Sequence, residues 1–427
     1  MPPAQAVILE NIIAVDYFAR KRGIKYFFLT HAHSDHMSGL NKNWDFAPIY
    51  CSKQTAQILN VVLGNSGHSS GIHPEWITSL ELNKPYCMGD FTVTLFDAYH
   101  VFGAVMFLFE GPLFKDGPVL CTGDFRADID MLKDFQTIPL FARLTHLALS
   151  TVYLDTTYLN SYENEFPSKS DSVKNAVKMI KKYSESKIWI VCGKLGRERF
   201  LATIAGELRE KIQIYEKKRM VMDSMGFSYP LFDTEECRIS TCERSNINSI
   251  PQSPCHIFEF TMLYTLKHIA FWKVLSFYNS QSHLLLIHSL YLYFCYNTSS
   301  SENVHLIGYS DHSSPNEIRN FLSLLKFRKL CPLGPSCDPK VLKELETLSR
   351  PLDAIGLFFL NEKFTYSILA GDQRSDIFET PNIKNVPEYA VNASDETAVV
   401  SSPPETAEDM VKPVKCVSNT ESSFVWF

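Results

Sequence analysis

The stretch Tyr26–Leu40, YFFLTHAHSDHMSGL, packs three histidines and an aspartate into six positions directly behind a run of aromatic and aliphatic residues. A short apolar run bounded by polar residues reads as a buried strand, so the imidazoles stand at a strand end. On a helix His31, His33, Asp35 and His36 would point in several directions, whereas a loop leaving a strand lets them converge. Neutral imidazole and carboxylate are the ligand types of a metal site that stays open to water, zinc above all. The spacing suggests two positions, with His31 and His33 facing one and Asp35 and His36 the other.

Such a loop needs further ligands at later strand ends. The runs FTVTLFDAYH, AVMFLFEG, GPVLCTGDF and TVYLDTT also read as strands of a largely buried sheet. His100 closes the first of them, and Asp124 follows Gly123 in CTGDF, where a carboxylate can bridge two cations. Two helices are legible beyond these strands. SDSVKNAVKMIKKYSES sets Val173, Val177 and Ile180 at helical spacing behind Ser170 and Asp171. In HSSPNEIRNFLSLL, Ser314 caps, Pro315 takes the first helical position, Glu317 completes a capping box, and Ile318, Phe321, Leu322 and Leu325 form the buried stripe.

With 427 residues, 45% of them hydrophobic, the chain can bury a substantial core. Its eleven cysteines show no CxxC pair, and the N-terminus lacks the basic and apolar regions of a signal peptide, so reduced thiols are expected. The formal charge of −6 sits wholly in the tail, where ten acids face four bases from Asp372 onward, leaving a neutral body. Net charge therefore neither supports nor excludes a polyanionic partner. From about Cys255 to Asn297 the chain is rich in Phe, Tyr and Leu, but Lys267, His268, Lys273, Asn279, Gln281, His283 and His288 interrupt it, so a buried insert is favoured over a bilayer span.

Asp16 in IAVDYF, the HAHSDH run, His100 and CTGDFR resemble the four leading motifs of the metallo-β-lactamase fold in its nucleic-acid-processing β-CASP branch. FFLTHAHSDH, VMFLFEG, YLDTTY, EFPS and YSDHSS further resemble the DNA-repair nucleases of the Apollo and Artemis group, with IAVDYF, VMFLFEG and YSDHSS nearest to its Apollo members. The resemblance covers about residues 8–245 and 302–350. It implies an α/β fold, an αββα sandwich with an inserted β-CASP domain and a disordered C-terminal tail. The expected division is 1–166 for the first part of the core, 167–303 for the insert (with 255–297 as its atypical apolar segment), 304–371 for the second part, and 372–427 for the acidic tail.

The same resemblance implies roles for individual residues. His31, His33, His100 and bridging Asp124 would hold one zinc tightly, Asp35, His36 and Asp124 would form a weaker second site, and Asp16 would orient the ligand loop. Asp155 and His312 resemble the branch's acidic and histidine motifs, so the catalytic residues are expected to be Asp35, Asp155 and His312. Lys194 and Arg197 in CGKLGRER, with Ser313 and Ser314, are candidates for binding a terminal phosphate. The later histidine that helps ligate the second metal in RNA-cleaving relatives has no counterpart in KLCPLGPS, around Gly334, which favours DNA.

The implied activity is zinc-dependent 5′-to-3′ exonuclease action on DNA, single-stranded or with a 5′ end, in the nucleus, during crosslink repair, double-strand break repair or telomere end processing. Repair or telomere proteins would be further partners through the tail or the insert, and no stable membrane association is expected. Two departures keep other readings open. Relatives continue H-C-P-G-S after the third-motif histidine where this chain reads HVFGA, and the strand that returns the chain from the insert has no legible counterpart in 255–297. The alternatives are a weakened member that binds DNA ends or proteins, and a small-molecule hydrolase resembling a β-lactamase.

Overall fold

The computed structural model describes residues 5–64, 71–161, 164–226, 232–233, 235–244, 246, 255–260, 304–334 and 337–349. Its first sheet has the order β1 (Val7–Leu9), β2 (Ile13–Val15), β3 (Tyr26–Phe28), β4 (Ile49–Ser52) and β5 (Ile77–Leu80). The second runs β17 (Lys326–Leu333), β10 (Ala148–Asp155), β9 (Val119–Cys121), β8 (Val105–Glu110), β7 (Thr92–Asp97) and β6 (Pro85–Cys87). Strand alternation decides how they pack. Val93, Leu95, Val105, Phe107 and Phe109 turn to one face, where they meet Val7, Ile13, Val15 and Phe28 of the first sheet.

The opposite faces are apolar too, and each takes a helical layer, which makes the αββα sandwich. Phe27, Leu29, Ile49 and Cys51 pack on Ile58, Leu59 and Val62 of α1 (Lys53–Val62). On the far side, Phe96 meets Phe141 of α3 (Pro139–Leu144) and Phe125 meets Phe321 of the helix Pro315–Ser323, and both of those rings meet Phe135 of α2 (Ile129–Thr137).

Between β10 and β17 the chain forms a third sheet of mainly parallel strands, ordered β13 (Phe232–Asp233), β12 (Ile212–Gln213), β14 (Ile239–Cys242), β11 (Lys187–Val191), β15 (Cys255–Phe260) and β16 (Val304–Ile307). Ile188, Ile190, Ile212 and Phe258 of this sheet pack on α4 (Lys169–Lys181) and α5 (Glu198–Leu208). α4 carries the expected apolar stripe and begins with Ser168 as its cap, accepting from Asp171 N at 3.0 Å. The helix Pro315–Ser323, which follows α6 (Glu216–Ser224) in the chain and is α7 here, has its Ser314–Glu317 capping box in place.

The first residues of the stretch 255–297, in which no strand was legible, form β15, paired in parallel with β11 and β16 inside the third sheet. His256 and the absence of a turn signal before the aromatic run conceal its alternation. The rest of that stretch, 261–297, where a membrane span had been weighed, lies outside the described residues, as does the tail from Asp372. Among the described residues no helix is long and apolar enough to cross a membrane.

Candidate metal centre

All the candidate ligands stand where sandwich strands end. Beyond β3, the loop is organised by Asp16, a residue in the left-handed region (φ 52°) that aspartate tolerates. Its buried carboxylate accepts from Thr30 N at 2.8 Å and Thr30 Oγ1 at 2.7 Å, and pairs with His36 Nδ1 at 2.7 Å. Because the Thr30 hydroxyl gives its proton to Asp16, it accepts from His31 Nδ1, 3.0 Å away. The Nδ1–H bonds of His31 and His36 thus leave both Nε2 atoms as the faces turned toward Asp124.

His100 is aimed from the other end of the chain, its Nδ1–H donating to Asp311 O at 2.8 Å. The residue before it, Tyr99, is left-handed (φ 56°), held by Asp97 Oδ1 on its N–H and by Asp134 on its hydroxyl.

One donor atom each from His31, His33, His100 and Asp124 falls within 4.8 Å of the others. His33 Nδ1 lies 2.9 Å from His31 Nε2 and 3.2 Å from His100 Nε2, and Asp124 Oδ2 is 3.7 Å from both Nε2 atoms. Tetrahedral zinc with bonds of about 2.0–2.1 Å sets its ligands roughly 3.3 Å apart, which these spacings bracket. The chemistry of the donors agrees. Burial and the neighbouring rings hold His31 well below the ordinary imidazole range, burial lowers His33, and burial beside His312 takes His100 down to about 3. Three neutral imidazoles face a carboxylate whose burial favours protonation but which His36 and His312 keep ionised.

The residues expected to form a second position lie beside this cluster. His36 Nε2 is buried 3.2 Å from Asp124 Oδ2 and 3.8 Å from Asp35 Oδ2, and has no hydrogen-bond partner among the described residues. Burial disfavours charge on His36, but Asp124 and Asp16 outweigh it and raise the ring well above its usual range, and the same field favours a cation. Asp35 itself is exposed at the rim, its Oδ2 accepting from Gln5 Nε2 at 3.3 Å.

Asp155, at the end of β10, pairs with His312 Nδ1 at 2.8 Å and is itself held by Phe125 N and Thr157 N. His312 Nε2 is then directed into the site, 3.8 Å from Asp124. Burial opposes its charge, but Asp155 and Asp124 raise it to about 9. Asp124, Asp155 and His312 also gather donor atoms within 4.8 Å. The parallel register sets Leu333 opposite Asp155, so Gly334 and the histidine-free segment lie beside this pair.

Comparison with known proteins places this arrangement. No family model matches the chain. It is 29% identical over 358 residues to the 5′ exonuclease Apollo of Gallus gallus, covering 82% of this chain and 68% of that one. It is 32% identical over 324 residues to the DNA cross-link repair protein SNM1 of Arabidopsis thaliana (73% and 61% covered) and 31% over 337 residues to Apollo of Mus musculus (77% and 54%). The chain is homologous to these Apollo and SNM1 proteins, which are β-CASP metallo-β-lactamase DNA-repair nucleases, and carries a matching metal-binding cluster. It spans between about half and two thirds of the length of these relatives. A crystal structure of an Enterococcus faecalis protein of unknown function shares the fold, with a TM-score of 0.50 at 15% identity over 72% of this chain and 75% of that one.

The third-motif turn, in which this chain reads HVFGA, is held without the proline. Ser52 Oγ and Thr55 Oγ1 both donate to Gly103 O, at 2.7 and 2.9 Å, and a Cβ on Gly103 (φ 80°) would stand 2.6 Å from Thr55 N. The proposed phosphate binders fare differently. Ser313 and Ser314 are buried, the first bonded to Ala127 N and Phe125 O, the second capping α7, so neither hydroxyl faces a substrate. Lys194 Nζ donates to Val62 O, and Arg197 donates to Val191 O and lies over the Tyr309 ring.

Thr30, Asp311 and Arg126 escaped the sequence reading. Thr30 directly precedes the histidine run and could have been suspected, whereas Asp311 acts through its carbonyl and gives no signal by residue type.

Proposed function

We propose that this chain is a zinc-dependent deoxyribonuclease that shortens DNA from its 5′ end. The observation that carries the reading is the Asp155–His312 pair, 2.8 Å apart, with Nε2 facing the ligand cluster. In this reading His31, His33, His100 and Asp124 hold one zinc tightly, and Asp35, His36 and Asp124 a weaker second ion. When bound, zinc supplies Lewis-acid polarisation of a phosphate oxygen and acidification of water. Asp155 keeps the proton on His312 Nδ1 and steadies the charged ring, so that Nε2–H gives its proton to the departing 3′-oxygen. Asp35, at the rim, takes up the proton released on the water side.

The names of the relatives, 5′ exonuclease and cross-link repair protein, support the polarity and a nuclear repair setting. In this reading the insert takes in the third sheet, whose last strand, Val304–Ile307, runs just past the expected boundary at 303, and the insert supplies a wall of the nucleic-acid groove. Repair proteins are the partners that fit this setting.

The test is digestion of 3′-labelled single-stranded DNA carrying a 5′-phosphate or a 5′-hydroxyl, with zinc, by the protein and its Asp124→Asn variant. Stepwise shortening by the wild type alone supports the reading. A folded, zinc-loaded protein that leaves DNA intact overturns it in favour of an end-binding member.

A further inference from the structure

Arg126, two residues beyond Asp124, is among the largest fully buried side chains, 1% exposed. Its guanidinium donates to Ser310 O at 2.6 Å and Pro167 O at 3.0 Å, and reaches Glu317 Oε1 at 3.3 Å. Its own backbone N–H donates to Ala98 O at 2.9 Å, two residues before His100. The planar fork therefore joins the end of β9 to the link leading into α4, the segment after β16 and α7, while the main chain of Arg126 ties the same point to the end of β7.

What it holds is the loop from which two site histidines are aimed. Ser310 Oγ accepts from His312 N and donates to His312 O, fixing that residue's backbone, while Asp311 O receives His100 Nδ1–H. Glu317 extends the grip, since its other oxygen accepts from Ser314 N at 2.7 Å. A lysine offers a point charge that cannot match carbonyls and a carboxylate spread around a plane.

We infer that Arg126 is a positioning residue that sets the aim of His312 and His100 by clamping Ser310–His312, a role that deepens the nuclease reading and rests on it. The test compares wild type, Arg126→Lys, Ser310→Ala, His312→Ala and the two double variants containing His312→Ala. For each variant, DNA cleavage rates, zinc content, thermal midpoint and the imidazole N–H signals in nuclear magnetic resonance are measured.

Arg126→Lys should keep zinc and the fold, lower kcat about 10- to 100-fold with KM nearly unchanged, and broaden the Nδ1–H signals of His312 and His100. In the His312→Ala background the same change should cost at least about threefold less than it does alone, because only its effect through His100 remains. Ser310→Ala, which keeps the Arg126 bond to the Ser310 carbonyl but cuts the clamped segment's hold on the His312 main chain, should show the same pattern at about 3- to 10-fold, and unchanged kcat and signals in it overturn the clamp if Arg126→Lys does not fold. Unchanged signals and kcat, or fully additive losses in the double variants, would overturn the assignment. A wild type that does not cleave would overturn the nuclease reading, while the imidazole signals still test Arg126.

Discussion

The two halves of the site are built by different means. The HAHSDH half is local: Asp16 reaches only 14 residues to Thr30 and 20 to His36. The other half depends on distant closure, with His100 bonded across 211 residues to Asp311 and His312 across 157 to Asp155. The local half sets His31 and His33 as neutral lone pairs for a cation, and the distant half completes that set with His100 and adds a charged imidazolium, His312. Metal binding and proton transfer should accordingly be separable by mutation.

The largest effect tests their shared atom. Asp124→Asn touches both halves, since Oδ2 lies 3.2 Å from His36 and 3.8 Å from His312, so zinc content by elemental analysis should fall well below one equivalent and cleavage to background. His312→Ala should break only the distant half, leaving zinc stoichiometric while kcat falls about 10²- to 10⁴-fold; equal loss of zinc would erase the distinction. Asp16→Ala should act on the local half by stability, because it strands the buried Thr30 and His36 donors. A loss of about 3–5 kcal/mol in denaturant unfolding is expected. The smallest effect is Ser314→Ala, which removes the α7 cap and should cost about 1 kcal/mol in the same measurement, without changing zinc content.

The same division explains what the sequence reveals. Strands whose two faces are both buried, such as Thr92–Asp97 and Val105–Glu110, announce themselves by continuous apolar residues between turn signals. The ligand loop is equally plain, because its residue types are rare together. The α7 cap is legible as well, since capping is a property of four consecutive residues. Roles performed by backbone atoms leave no such mark: Asp311 contributes a carbonyl, and Gly103 O is held by the hydroxyls of Ser52 and Thr55 from another element. Ser313 and Ser314 mislead for the complementary reason, since a hydroxyl suited to phosphate is equally suited to an inward cap. β15 is hidden because its apolar alternation includes His256 and runs on without a turn.

The span between Asp155 and His312 also has a consequence in time. A ribosome adding about 5–20 residues per second needs roughly 8–30 s to cover those 157 positions. Throughout that interval the nascent chain already carries every residue of the HAHSDH loop, His100 and Asp124, but neither the carbonyl that orients His100 nor the imidazole paired with Asp155. Synthesis order therefore leaves the site of the growing polypeptide incomplete until the segment just before β17 has been made, a delay written into the connectivity.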